Sequence, residues 1–258
     1  MSSDMFPKAD DLFADKKLRF YLTSPLECPY LPDRYERKLF TTLNDLDAHY
    51  LNETLTRAGF RRSQNIAYRP ACDMCTECVS IRVLVKDFKF NKNWRRVLKI
   101  GKYIDAQSNF PDANEERYAL IKKYLNTRHL NEGMSDMDGE DFIAMLEECT
   151  SYTRIIDYRL NQDCEYGKKG QLIACLLLDE LNDGKSLVYS FYDPDLQKHS
   201  IGTYIILHQI NDTRQSERDY LYLGYLIKDC RKMAYKSRFT PYEHLGPRGW
   251  ERQDNVAK

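Results

Sequence analysis

Three thiols at a spacing of three, Cys72-x-x-Cys75-x-x-Cys78, have the period of a metal-ligand loop, and Cys28 could serve as a fourth ligand. Four thiolates suit Zn²⁺ or an iron–sulfur cluster, while free thiols lining a loop explain the same letters equally well. A cationic run follows, in which Lys86, Lys89, Lys92, Arg95, Arg96, Lys99 and Lys102 meet one acid, Asp87, with Phe88, Phe90 and Trp94 interleaved. That spacing gathers charge on one helical face, which suits a nucleic-acid backbone or a merely solvated surface. In the second half four short blocks stand out that a plain hydrophobic core would not require. They are Ser190-Phe-Tyr-Asp-Pro-Asp195, Ser200-Ile-Gly-Thr-Tyr204, Tyr222-Leu-Gly-Tyr225 and Met233-Ala-Tyr-Lys-Ser-Arg-Phe-Thr-Pro-Tyr-Glu243.

The elements that must position these residues show in the periodicity. Leu18, Phe20 and Leu22 alternate as on a half-buried strand. Asn44 or Asp45 caps a helix running to about Ala58, with Leu46, Tyr50, Leu51 and Leu55 on one face and Gly59 ending it. Strands fit Asn65–Arg69 and Val79–Val85 on either side of the thiols. Helices are expected over Asn91–Gln107, Ala113–His129 and Asp138–Cys149, the last with Asp138 as its cap. The period then switches to two over Tyr152–Leu160, Gln171–Leu181 and Lys185–Tyr192, and Asn182-Asp183-Gly184 joins the last pair as a hairpin. A helix over Gly202–Arg214, a strand over Tyr220–Ile227 and a helix starting near Asp229 complete the order. No repeat, linker or low-complexity run interrupts it.

Composition sets outer bounds. A chain of 258 residues can bury a real core as one large domain or two small lobes. Lys+Arg and Asp+Glu balance at 39 each, so an RNA contact has to come from a local patch. No basic-then-apolar leader and no long apolar run is present, so no membrane partner is expected. Eight cysteines without a leader fit a reduced, cytoplasmic setting. The 19 tyrosines suit polar pockets and RNA surfaces.

The four C-terminal blocks, with Phe60-Arg-Arg-Ser-Gln-Asn-Ile-Ala-Tyr-Arg-Pro-Ala-Cys-Asp-Met-Cys-Thr-Glu-Cys-Val-Ser-Ile-Arg-Val83 and Cys28-Pro-Tyr-Leu-Pro32, resemble the arginyl- and leucyl-tRNA–protein transferases. These enzymes add an amino acid to a protein N-terminus, and the likeness spans roughly residues 15 to 243. It implies an α/β (α+β) fold with a GNAT-like acyltransferase core, a mixed central sheet flanked by helices, and a smaller N-terminal lobe. The expected division is a flexible segment 1–15, an N-terminal lobe 16–105, a catalytic domain 106–243 and a tail 244–258. The short chain points to the bacterial branch, with leucyl-tRNA as donor, proteins beginning with Asp or Glu as acceptors, and a monomeric enzyme of the N-degron pathway. Arginyl-tRNA as donor, a coenzyme A-dependent acyltransferase and a non-catalytic RNA-binding module are the alternatives.

The resemblance also implies roles. Tyr192 and Asp193 are the expected catalytic pair, Asp193 accepting from the incoming amine and Tyr192 reaching the leaving 3′-oxygen. An acidic acceptor needs a cation, for which Arg61, Arg62, Arg69, Arg82 and Lys236 are the candidates. Ser200, Gly202, Tyr204, Tyr225 and Tyr235 are further substrate-site candidates. Ser200 stands where a coenzyme A-binding loop needs glycine, which leaves a helix N-terminus for another phosphate. Eukaryotic relatives hold an iron–sulfur cluster near the cysteines, but here Leu31 and Thr76 depart from their pattern, so metal and free thiols both stay open.

Overall fold

A computed structural model describes residues 18–43, 47–128 and 137–254. The expected flexible segment 1–15, the caps Asn44 and Asp45, and the helix end at His129 lie outside the described residues. Fourteen strands are described: β1 (Tyr21–Leu22), β2 (Leu26–Glu27), β3 (Tyr35–Glu36), β4 (Lys38–Thr42), β5 (Arg61–Ser63), β6 (Ile66–Pro70), β7 (Val79–Leu84), β8 (Ile104–Asn109), β9 (Thr153–Leu160), β10 (Leu172–Glu180), β11 (Gly184–Tyr192), β12 (Tyr220–Leu226), β13 (Tyr242–Gly246) and β14 (Gly249–Gln253). The α-helices are α1 (Ala48–Arg57), α2 (Lys92–Leu98), α3 (Glu115–Arg128), α4 (Gly139–Glu147), α5 (Ile201–Gln215) and α6 (Arg231–Ala234). Short 3₁₀ turns cover Lys99–Tyr103, Pro194–His199 and Tyr235–Arg238.

An eight-stranded sheet in the order β14-β13-β7-β12-β11-β10-β9-β8 forms the centre. β10 is buried on both faces along nearly its whole length, and Leu181–Gly184 closes the β10–β11 hairpin as the Asn-Asp-Gly signal requires. One face is covered by α5 and α2, whose Ile201, Ile205 and Ile210 pack against the strands. The other carries α3 and α4, where Ile121, Leu125, Phe142 and Leu146 meet Ile155, Leu177 and Phe191. Asp138 caps α4 in a reciprocal capping box with Asp141. A four-stranded sheet, β1-β4-β6-β5, packs with α1 around Leu51, Leu55 and Phe60 as the small lobe.

The architecture is therefore mixed α+β with one central sheet and a small N-terminal sheet. The sheet crosses the expected division of the chain, because β7 from the first lobe lies between β13 and β12, and β8 forms the far edge. Residues 249–253, expected as tail, are the opposite edge strand. The expected helix Asn91–Gln107 stops early: Asn91 caps it through the Trp94 N–H, but after the 3₁₀ turn the chain becomes β8. An edge strand reading Ile-Asp-Ala-Gln-Ser-Asn buries only its first residue, so it shows no apolar period. Leu18, Phe20 and Leu22 remain 43–47 % exposed, so the expected buried face is not formed there. The helix expected near Asp229 is one turn, α6, passing into a 3₁₀ turn that carries Phe239 beneath Trp94, with ring centroids 5.2 Å apart.

A buried ion pair ties the lobes together. Arg62 on β5 donates from Nε and Nη2 to both oxygens of Asp179 on β10, at 2.8 and 2.9 Å, with both side chains almost fully buried. Asn52 and Thr153 saturate the same carboxylate, at 3.0 and 2.7 Å. Removing one partner strands the other charge in the interior. Asp179→Ala should cost about 3–5 kcal/mol in urea unfolding, whereas breaking an exposed pair such as Lys168–Asp163 should leave the urea midpoint nearly unchanged.

Candidate active site

The central sheet opens between β11 and β12, the only parallel pair among the described residues. β11 and β12 are in register only at Gly184–Ser186 against Tyr220–Tyr222, after which they part. Both strands bulge at the parting. On β11, Leu178 faces Leu187 and Leu177 faces Tyr189, which leaves Val188 as the extra residue. On β12, Tyr222 faces Arg82 and Gly224 faces Ile81, which leaves Leu223 extra. A bulge leaves a residue out of the ladder and its backbone groups without strand partners.

Arg61 fills that need. Alternation along β5 sends Arg62 toward Asp179 and Arg61 into the gap. Its guanidinium donates to the carbonyls of Leu187 (3.3 Å) and Val188 (2.9 Å) on β11 and of Leu223 (3.4 Å) on β12. Gly224 takes φ +70°, and a Cβ there would stand 1.6 Å from Arg61 Nη1, so only glycine admits the arginine. Three of five guanidinium N–H donors are used on neutral oxygens, and Arg61 forms no salt bridge among the described residues. Net positive charge is thereby fixed between the strands.

Other side chains close around it. Lys236, 6 % exposed, donates from Nζ to the Tyr225 carbonyl on β12 at 2.7 Å. Its ammonium is held well below the ordinary lysine range by burial first and by Arg61 second. Tyr235 is 40 % exposed beside it and feels the charge of Arg61 and the hydroxyl of Tyr192. Tyr192 ends β11, with its ring 5.1 Å from Tyr124 on α3 and against Gly202, where a Cβ would lie 3.3 Å away. Burial pushes Tyr124 up to about 12, and Arg128 bonds its hydroxyl. The Tyr189 hydroxyl is buried without a hydrogen-bond partner in this neighbourhood.

Asp193 sits differently from expectation. Its Oδ1 accepts from Lys123 Nζ at 2.6 Å and from the Asp195 N–H at 3.0 Å, capping the 3₁₀ turn that leads to α5. That arrangement fixes the turn and holds Oδ1 in two hydrogen bonds. Ser200 follows in the left-handed conformation, φ +59°, and caps α5 without a side-chain bond, so the first-turn N–H groups have no side-chain partner there.

Several expected site residues belong to the framework. Arg62 is consumed by Asp179. Arg82 is paired with Glu243 at 2.7 Å and stacked 3.6 Å from the Tyr220 centroid. Tyr204 is core, against Tyr158 and Gly101. Tyr225 donates its hydroxyl to the carbonyls of Gly59 and Tyr68, both at 3.1 Å, and so ties the lobes. On the basic face Lys89, Lys92, Arg95, Arg96 and Lys99 are exposed, while Lys86 is paired with Asp219. Phe88 and Trp94, which alternate with these cations in sequence, are buried core. Arg238, stacked 5.1 Å over Trp94, adjoins that face. Lys123, Tyr124 and Arg128 lie in no motif, and spacing along α3 says nothing of which strand end it overhangs.

Cys28, Cys72, Cys75 and Cys78 do converge, lining one small pocket with Tyr68 and Tyr225. Arg69 lies alongside in an adjoining cavity of about 340 Å³. Burial, with the other three thiols, pushes Cys78 up to about 12, so it is a neutral thiol at pH 7. Arg34 donates to Cys75 Sγ at 3.2 Å. Among the described residues no group of three or more His, Cys, Asp or Glu has metal-holding geometry. As placed, all four thiols are free.

Residues 26–96 match the N terminus of the arginine-tRNA-protein transferase family, and residues 116–246 match its C terminus. The chain belongs to that family. An aspartate/glutamate leucyltransferase of Agrobacterium fabrum is 46% identical over 236 residues, covering 90% of this chain and 94% of the relative. One of Nitrobacter hamburgensis is 47% identical over 237 residues, covering 92% of each. Among solved structures, L-PGS from Bacillus licheniformis aligns at a TM-score of 0.42 and 12% identity over 58% of this chain and 45% of that one. FemX aligns at 0.42 and 8% over 66% and 58%. Neither likeness adds to the topology already described.

The fit of Arg61 against Gly224 is directly testable. Gly224→Ala should cost about 1–2 kcal/mol of stability from its left-handed backbone and, by expelling Arg61, lower kcat/KM far more than that loss explains. Thermal unfolding and steady-state transfer on the same preparation separate the two effects.

Proposed function

We propose that this protein transfers leucine from leucyl-tRNA to the α-amine of proteins beginning with Asp or Glu, marking them for N-degron proteolysis in the cytoplasm. The observation that carries the reading is identity near one half across both lobes to relatives named aspartate/glutamate leucyltransferase. The chemistry is modest: an activated ester meets an amine whose pKa lies near 8, and the peptide bond forms as the ester C–O bond breaks. Positioning and charge complementarity then dominate.

Arg61 is the acceptor reader in this scheme. Its other N–H donors make no hydrogen bond among the described residues, and no described carboxylate pairs with its charge. A side-chain carboxylate of the acceptor would supply the missing partner. The 3′-end of the tRNA approaches Tyr192 and the uncapped first turn of α5, whose N–H groups suit a phosphate. Asp193 and Lys123 hold the turn that presents Tyr192. The exposed cations of α2 lie along the acceptor stem. A coenzyme A thioester is disfavoured, since Ser200 keeps a side chain on the loop that must approach a pyrophosphate.

The decisive assay mixes purified protein with leucyl- or arginyl-tRNA and peptides starting with Asp, Glu, Lys or Arg. Leucine addition to the Asp and Glu peptides alone is expected. Arginine addition would overturn the donor, and no transfer with any pair would end the transferase reading. Replacing Arg95, Arg96 and Lys99 together by Ala should raise KM for leucyl-tRNA, leave KM for peptide unchanged, and flatten the salt dependence by about three counterions.

A further inference from the structure

We infer that Lys236 is the proton acceptor of the transfer step, a catalytic role that rests on the aminoacyl-transfer reading above. The inference starts from what surrounds Nζ. Lys236 lies in the Tyr235–Arg238 turn with 6 % of its surface exposed, and Nζ has one protein partner, the Tyr225 carbonyl at 2.7 Å. Among the described residues no carboxylate forms an ion pair with it. Arg61 from β5 adds like charge, while the Cys230 thiol, from the segment before α6, acts weakly in the opposite sense. Tyr235 and Tyr225 complete the neighbourhood. A lone ammonium is poorly tolerated there, so the amine reaches its neutral form far more easily than a solvated lysine does. In the other candidate base, Asp193, Oδ1 is bonded by Lys123 and the Asp195 N–H.

The step balances within the reactants. The acceptor nitrogen attacks the ester carbonyl, forming the N–C bond and acquiring positive charge. The Lys236 lone pair takes one proton from that nitrogen. As the tetrahedral carbon collapses, its bond to the ribose 3′-oxygen breaks and Lys236 returns the proton to that oxygen. Ester becomes amide, the tRNA leaves with a free hydroxyl, and the lysine ends neutral. Arg61, fixed nearby on strand carbonyls, keeps the proton from lingering on Lys236 and holds the acceptor carboxylate at the same time.

The test compares the parent protein with Lys236→Met and Lys236→Arg in single-turnover transfer from bound leucyl-tRNA. Two acceptors are used, an Asp peptide and its aminooxy analogue, whose nucleophilic nitrogen stays unprotonated across pH 6–9. With the analogue, any loss of rate toward low pH belongs to the enzyme. A base at Lys236 predicts that both variants lose kcat by roughly 100-fold or more, with KM for peptide within about twofold, and that the acid limb disappears. Lys236→Met also loses the bond to the Tyr225 carbonyl, so thermal unfolding of each variant separates loss of fold from loss of kcat. Retained kcat with raised KM in Lys236→Arg would overturn the inference, making the residue a cationic reader. Survival of the acid limb in both variants would overturn it as well. Parent protein that transfers leucine to no peptide would instead refute the function itself.

Discussion

An arginine wedged between two parting strands organises this protein. Two bulges, at Val188 and Leu223, take three carbonyls out of the ladder, and Arg61 accepts the task of bonding them. Unbonded carbonyls in such a place would cost about 1–3 kcal/mol each. The wedge requires glycine at 224, because a Cβ would occupy the guanidinium's place. It also requires the small lobe to dock in one orientation, which the Arg62–Asp179 pair and the Tyr225 hydroxyl enforce from either side. Consecutive arginines on one short strand thus divide the labour, one stapling the lobes and one charging the gap.

That charge sets the local chemistry. Carbonyl oxygens orient Arg61 without neutralising it, so the gap stays electropositive and selects an anionic ligand. The same field, added to burial, keeps the Lys236 ammonium unfavourable. In the proposed scheme acceptor recognition and proton uptake share one cause, a guanidinium held on backbone carbonyls. The tyrosines around it, Tyr124, Tyr192 and Tyr235, supply apolar walls with hydroxyl edges, a surface suited to an aminoacyl ester and the end of an RNA strand.

Much of this was legible in the sequence, and the failures have physical causes. Strong periods gave β9, β10, β11, α5 and β12 nearly at their ends, and Asp138 announced its helix through a real capping box. The polar edge strand β8 was read as helix because an edge buries almost nothing and leaves no alternation. Arg61, Arg62, Arg69, Arg82 and Lys236 looked alike as letters; only the fold reveals that Asp179 and Glu243 satisfy two of them. Tyr204 and Tyr225 lie in motifs yet serve packing, so a motif marks what the site needs, not only what touches substrate. Asp193 shows the same limit, since its partner Lys123 lies 70 residues away on a helix with no motif.

The claim that Arg61 reads the acceptor carboxylate is tested most directly by a double comparison of kcat/KM. Parent and Arg61→Lys are each assayed on peptides beginning with Asp and with Asn, alike in size but not in charge. If the guanidinium is the reader, the parent's preference for Asp over Asn should collapse by roughly 2–5 kcal/mol of coupling in the lysine variant. A preference that survives undiminished in Arg61→Lys, in a protein that still folds, would contradict it and move carboxylate recognition to another cation.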